Sequence, residues 1–376
     1  MKIKFKRQTI TEYFSSIIIL VFFMMRTLIA IQGDQIYSII ALSLGILALL
    51  NVVLNLKRSK LRPFIMLSVI YFFMVISNII SGNMELGLIF NLQYMGIALS
   101  LIYFKLNYKL TKISYLIHAL YILYFIVLGF NPAEIFYFSR NQISSVMIVQ
   151  SIILYISIVQ HDKNVSIIPA VITTLISAWA LGRSGMISSV FLLSVILLYK
   201  RRTKLLNKNA FIKLIIIIGI IVISPQIIDN LISNIENNFL MLTSRFEREG
   251  FGARQLIIIE YFNIAFGNIK NFAFGPSIDS SQYLMLFEGN LHNSYLGMHA
   301  YYGLGGLICI GYLIISGVRN LTKSKSWVYL GLLGVMFIRI FTDNLAFPGY
   351  FDPLIYYFLF SNYHHKYAFN RIDLRE

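Results

Sequence analysis

The side chains able to do polar chemistry are few and gathered in four places. Residues 244–263 read SRFEREGFGARQLIIIEYFN and carry Arg245, Arg248 and Arg254. Residues 291–307 read LHNSYLGMHAYYGLGGL and open on His292 and Asn293. The turn LGRSG at 181–185 holds Arg183, and the polar stretch NPAEIFYFSRNQ at 131–142 holds Arg140. Arginine presents a planar fork of N–H donors that grips two oxygens of one phosphate. Glycine and small residues flank Arg183 and Arg254, which suits close approach of a ligand. Arg140, Arg183, Arg245 and Arg254 are therefore the candidate substrate-binding cations. Pairing with Glu247 and Glu249, or snorkelling to lipid headgroups, is the competing use of such residues, above all for Arg245 and Arg248. His292 is the best candidate general base, since an imidazole with an ordinary pKa of about 6.5 accepts a proton at neutral pH. Asn293 is a candidate substrate contact beside it. The chemistry implied is the gripping of a phosphate group by arginine forks, with a histidine able to accept a proton.

The elements that must position these groups are transmembrane helices. The chain of 376 residues is 57% hydrophobic and only 13% charged, with a mean hydropathy of +0.72. Soluble domains average about 25% charged residues. Apolar runs of about 20 residues, each long enough to cross the hydrocarbon core, recur along the whole length. The alternating pattern of a membrane barrel is missing. Apolar runs at about 13–31, 36–56, 64–80, 86–104, 113–130, 142–159, 214–228, 294–317, 327–341 and 353–360 predict helices. The 35 residues at 165–199 predict two short helices meeting at LGRSG, with its glycines permitting the reversal. The fold class expected is an all-α polytopic membrane protein of about twelve helices, one integral-membrane domain over 1–376. Residues 229–291 are its one long loop and carry the probable active site.

The basic residues orient this bundle. Of the 32 Lys and Arg, 24 fall in the segments that an N-terminus-inside arrangement puts in the cytoplasm. Six fall outside: Arg140, Arg183, Arg245, Arg248, Arg254 and Lys270. Arg26 and Arg339 lie in or near helices and count for neither side. The positive-inside rule then sets both termini in the cytoplasm and the 229–291 loop outside.

Other classes of function fit less well. The net charge of +16 is dispersed in short clusters between apolar runs and forms no nucleic-acid patch. The single cysteine, Cys309, allows no intrachain disulfide. No His, Cys, Asp or Glu grouping has metal-ligand spacing, and neither a phosphate-binding GxxxxGK[ST] loop nor a GxSxG elbow occurs. Neither a metal nor a cofactor is expected. A transporter or lipid flippase would need intramembrane carboxylates for coupling, and the expected helices carry almost none. A non-catalytic scaffold leaves the Arg- and Gly-containing loop without a purpose.

The order of motifs resembles a known family. Arg183–Ser184–Gly185 sits between two helices, and a long outer loop follows. In it come GARQLIIIEYF at 252–262, FGP at 274–276, HNSYL at 292–296 and YGLGGL at 302–307. This pattern, over roughly residues 140–311, is similar to the O-antigen polymerase and O-antigen ligase superfamily of bacterial envelope glycosyltransferases. The His-Asn pair followed by the glycine pattern is its most specific part. The family loop often reads Gly-Arg with a following Trp; here Ala253 precedes Arg254 and Tyr261 stands near the aromatic place. The resemblance implies a multi-pass protein of the bacterial cytoplasmic membrane acting at its outer face. It implies a donor glycan on undecaprenyl pyrophosphate and a metal-independent, inverting transfer to a sugar hydroxyl. The acceptor would be another lipid-linked repeat for a polymerase, the favoured reading, or a lipid A core for a ligase. A chain-length regulator and a flippase are the implied protein partners.

The orientation has a direct test. Cysteines at Ser280 and Thr203, each introduced singly into a Cys309→Ser background, should differ in intact cells. An impermeant thiol reagent should label the first and spare the second; the reverse pattern overturns the orientation.

Overall fold

The computed structural model describes residues 2–56, 61–83, 87–135, 139–202, 251–277, 279, 281–286 and 290–361. It is all-helical over these residues. In order come α1 (Lys2–Gln32), α2 (Gln35–Asn55), α3 (Arg62–Ser81), α4 (Gly87–Phe90), α5 (Leu92–Tyr103), α6 (Tyr108–Val127), α7 (Pro132–Ile135), α8 (Asn141–Gln160), α9 (Ile168–Trp179) and α10 (Arg183–Arg202). After a gap come α11 (Phe251–Phe266), α12 (Ile269–Phe274), α13 (Gln282–Met285), α14 (Ser294–Lys323), α15 (Trp327–Ile340) and α16 (Asp352–Leu359). The helix expected at 214–228 lies outside the described residues.

Seven of these helices are long and apolar enough to cross a membrane: α1, α2, α3, α6, α8, α10 and α14. The remainder of the expected spans are shorter. α5, α9 and α15 hold 12, 12 and 14 residues, and α16 holds 8. At 1.5 Å per residue, α16 rises only about 12 Å, well short of a core of about 30 Å. It survives because it is no lipid-facing span: all eight of its residues are buried. The expected helix at 86–104 is broken at Asn91 into α4 and α5.

α8 is the central helix, with 89% of its apolar stretch buried, whereas α2 has 22% and lies at the periphery. Between apolar helices in lipid, small residues set the distance of approach, because dispersion contacts replace the hydrophobic drive. α2 meets α5 at Gly45 and Gly96, so closely that a Cβ on Gly96 would run into the Gly45 carbonyl. α14 meets α3 through the glycines at 303, 305 and 306. Gly303 adopts φ +61 and kinks α14, with Ser77, Ala273 and Phe274 around it. The kink frees the Tyr301 carbonyl, which accepts from buried Asn78 Nδ2 of α3 at 2.7 Å. A neighbouring side chain thus meets the backbone group that the break exposes.

Residues 251–285 differ from a simple polar loop. They form α11, α12 and α13, and Ile257, Tyr261 and Ala265 of α11 pack with Leu284, Leu291 and Ala300. The opposite side of α11 exposes Leu256, Ile259, Phe262 and Phe266. A helix apolar on both faces suits the membrane interface, not open water. Residues 229–250, the rest of the expected loop, lie outside the described residues.

Substitution of two glycines should separate tight packing from open space. Gly96→Val forces α2 and α5 apart and should cost about 1–3 kcal/mol as overpacking. Gly311, within α14, has no atom within 4 Å of a built Cβ, so Gly311→Ala should be neutral or stabilising by up to about 1 kcal/mol. Melting temperatures of the purified protein in detergent check both.

Candidate functional site

The site is built around Arg339, which the last turn of α15 places at one end of the bundle, fully buried with 0% exposure. A buried guanidinium needs acceptors to offset lost hydration; both terminal nitrogens of Arg339 have them, while its buried Nε has no partner in the protein. One terminal nitrogen donates to Ser184 Oγ at 3.1 Å and also to the carboxylate of Asp343 in an i,i+4 ion pair. The other donates to the Asn141 carbonyl at 3.1 Å and to Ser145 Oγ at 2.7 Å. Asn141 and Ser145 belong to the first turn of α8, and Ser184 to the first turn of α10. One side chain therefore ties the starts of α8 and α10 to the end of α15.

The same end of the bundle holds the start of α14. Ser294 Oγ donates to the Asp343 carbonyl at 2.8 Å and accepts from the Leu345 and Ala346 N–H groups at 2.9 and 3.1 Å. Two residues before Ser294 stands His292; one residue before Ser184 stands Arg183; Arg140 is the cap residue of α8. The structure thus gathers the backbones of Arg140, Arg183 and His292 around the Arg339–Asp343 pair. The serines of the Arg-Ser-Gly and His-Asn-Ser motifs are the ties.

Local backbone chemistry explains the turns. Leu181, not a glycine, takes the left-handed conformation at the α9–α10 reversal, with φ +54. Gly182 and Gly185 serve a different need, close approach: a Cβ on either would collide with Asn141 or Ser144 of α8. His292 also has positive φ, +49, and is half-buried. Its N–H donates to Asn290 Oδ1 at 2.9 Å.

The other expected residues fare differently. Asn293, expected to contact substrate, uses its side chain as the N-cap of α14. Its Oδ1 accepts from the Tyr295 and Leu296 N–H groups at 2.8 and 3.4 Å. Arg254 starts in α11, and its side chain and that of Arg183 are outside the described residues, as is the whole of Arg245. Three other histidines are engaged in structure. His118 contacts Ser114 O, Thr27 and Gln150; His161 contacts Leu106 O at 2.7 Å. His299 joins Tyr261 of α11 at 2.7 Å to Phe272 O of α12 at 2.8 Å.

Reading the sequence missed two arginines. Arg339 and Arg26 were set aside as helix residues, yet Arg339 is fully buried and Arg26 partly so. An ionisable residue inside an apolar stretch is expensive and marks a site by default, and that was the available signal. Arg26 of α1 lies over the Tyr94 ring of α5, 5.6 Å from its centroid. Tyr350, buried in the loop before α16, lies within electrostatic reach of both Arg26 and Arg339.

Breaking the Arg339 node should be costly. Arg339→Met leaves Asp343, two serines and a carbonyl unmatched, and should destabilise by about 3–5 kcal/mol. Asp343→Asn should cost less, because that side chain is 16% exposed against 1% for Arg339. Thermal unfolding in detergent compares them, and equal losses would remove Arg339 from its central place. Comparison of the chain with protein-family models, with curated proteins and with solved structures returns no match.

Proposed function

We propose that this protein is a glycosyltransferase of the membrane's outer face that polymerises lipid-linked oligosaccharide repeats, as for an O-antigen, capsule or exopolysaccharide. The observation that supports the reading is that the Arg339 node holds the backbones of Arg140, Arg183 and His292 at one end of the bundle. With the N-terminus in the cytoplasm, the chain order puts that end on the extracytoplasmic side. In this reading about twelve helices, some too short to span alone, hold an outward site in a bacterial cytoplasmic membrane.

The mechanism follows from the charge changes. The donor is a glycan on undecaprenyl pyrophosphate, and the pyrophosphate is the leaving group. As the glycosidic C–O bond breaks, negative charge grows on it. Arginine forks from Arg183, Arg254 and Arg140 stabilise that charge without a metal. His292 takes the proton of the acceptor hydroxyl as its oxygen attacks the anomeric carbon from the opposite face, which inverts the configuration. The acceptor is a second lipid-linked repeat; transfer to a lipid A core would make the protein a ligase.

A coupled transporter is less well supported. Asp352 is buried, but both its oxygens are occupied by backbone donors, Phe347 N–H at 2.9 Å and Gly349 N–H at 3.0 Å. Such a carboxylate closes a loop and is poorly free to carry an ion.

The reading makes a joint prediction for purified protein and lipid-linked donor. His292→Ala and His292→Gln should each lower turnover by about 10²–10⁴-fold. Arg183→Lys and Arg254→Lys should also fall, since lysine keeps charge and loses the fork. Wild-type activity should persist in chelator. Retained turnover in His292→Gln would leave His292 as an orienting group and not a base. In cells lacking the protein, single repeats on lipid indicate a polymerase and long chains on lipid a ligase.

A further inference from the structure

A cavity of about 150 Å³ lies between α1, α5, α8 and the 344–350 loop. It holds far more than one water, for which about 10–15 Å³ of such space suffices. Its wall includes Arg26, Thr27, Gln142, Gln150, Asn344 and Tyr350, and none of its lining residues is acidic. Two polar atoms of its lining residues, Arg26 Nε and Asn344 Oδ1, are buried with no hydrogen-bond partner in the protein, and the buried Tyr350 hydroxyl has Ser145 of α8 beside it. Arg26 has no carboxylate at ion-pair distance among the described residues. A buried donor left unmade costs about 1–3 kcal/mol, and more when charged. With Tyr350 beside them, these atoms make the wall of the cavity polar and cationic.

We propose that this cavity binds a phosphate group, taken from a lipid headgroup or from a free phosphate, with Arg26 as its principal cation. Arg26 Nε and a terminal nitrogen present the edge of a guanidinium that matches two phosphate oxygens. The Tyr94 ring holds the guanidinium in place by cation–π attraction. Tyr350 donates its hydroxyl proton to a third oxygen. Rotation of the Asn344 amide exchanges its oxygen for N–H donors, so it serves the same anion. Arg26 stands six residues before the end of α1, about 9 Å along the helix axis. That depth suits a headgroup drawn below the membrane surface. Arg26 is not among the arginines of the glycosyl-transfer reading, and although the cavity adjoins the Arg339 node through Tyr350, the proposal stands whether or not that reading holds.

Binding without turnover tests it. The full-length protein in phosphatidylcholine nanodiscs is melted with inorganic pyrophosphate, with undecaprenyl phosphate, or with neutral undecaprenol. At least one phosphate source should raise the melting temperature, and undecaprenol should not; which source succeeds identifies the ligand. Arg26→Gln should raise the half-saturating concentration at least tenfold. Asn344→Asp supplies a carboxylate to the cavity, so it should raise the melting temperature without ligand and abolish the phosphate response. The proposal fails if neither phosphate source stabilises the wild type, or if undecaprenol stabilises it equally. It fails also if Arg26→Gln binds normally or, should that variant not fold, if Asn344→Asp responds as wild type does.

Discussion

A guanidinium in the interior of an apolar bundle constrains everything near it. Arg339 cannot be left without acceptors, so the chain must deliver Ser184, Asp343, Asn141 and Ser145 to it. Three of these, Ser184, Asn141 and Ser145, come from parts of the sequence 155, 198 and 194 positions away. Satisfying one side chain therefore fixes how α8, α10 and α15 end relative to one another. Ser294 adds α14 through the backbone of Asp343. Of the residues proposed to act on substrate, Arg140, Arg183 and His292 are first residues of such helices or stand just before them. Their mutual placement is inherited from the buried node and not from contacts of their own.

Close packing serves the same end by other means. Polar ties of about 3 Å form only where helices approach closely, and glycine permits this at the points of greatest crowding. Gly182 and Gly185 bring the α10 start against α8, where Ser184 and Ser145 share Arg339. Gly303 lets α14 bend between α3 and α12, while Asn78 answers the carbonyl released by the bend. In each case a missing side chain on one helix makes room for a hydrogen bond nearby.

Much of this was legible in the sequence. Hydropathy marked the helices because the bilayer demands a length and a composition that are local properties. LGRSG was legible as a reversal between two helices, and His292 as the entry to another. The reason for the reversal was misread: Leu181 takes the left-handed angle, and the glycines are there for Asn141 and Ser144. Asn293 was legible as important but not as a cap. Arg26 and Arg339 were passed over because topology counting weighs where a charge lies and not what must pair with it. Their partners come from distant segments, and no local pattern lists them. The break at Asn91 and the brevity of α16 were hidden for a similar reason: an apolar run has the same composition whether it spans lipid or is enclosed by protein.

The short helix α9 carries a consequence for the bilayer itself. Its 12 residues give about 18 Å of helix, yet Ile168 and Leu175 face outward with 62% and 51% exposure. Lipid tails beside it meet an apolar wall shorter than their own two leaflets. Thinning of the bilayer is one response to so short a wall, at a cost of fractions of a kcal/mol per Å, beside snorkelling of flanking residues and association with another helix. Thinning draws the headgroup layer inward along the flank that carries the Leu181 reversal and the start of α10. Acyl-chain length in the host membrane thereby becomes a mechanical load on that turn, relieved in thin bilayers and heaviest in thick ones.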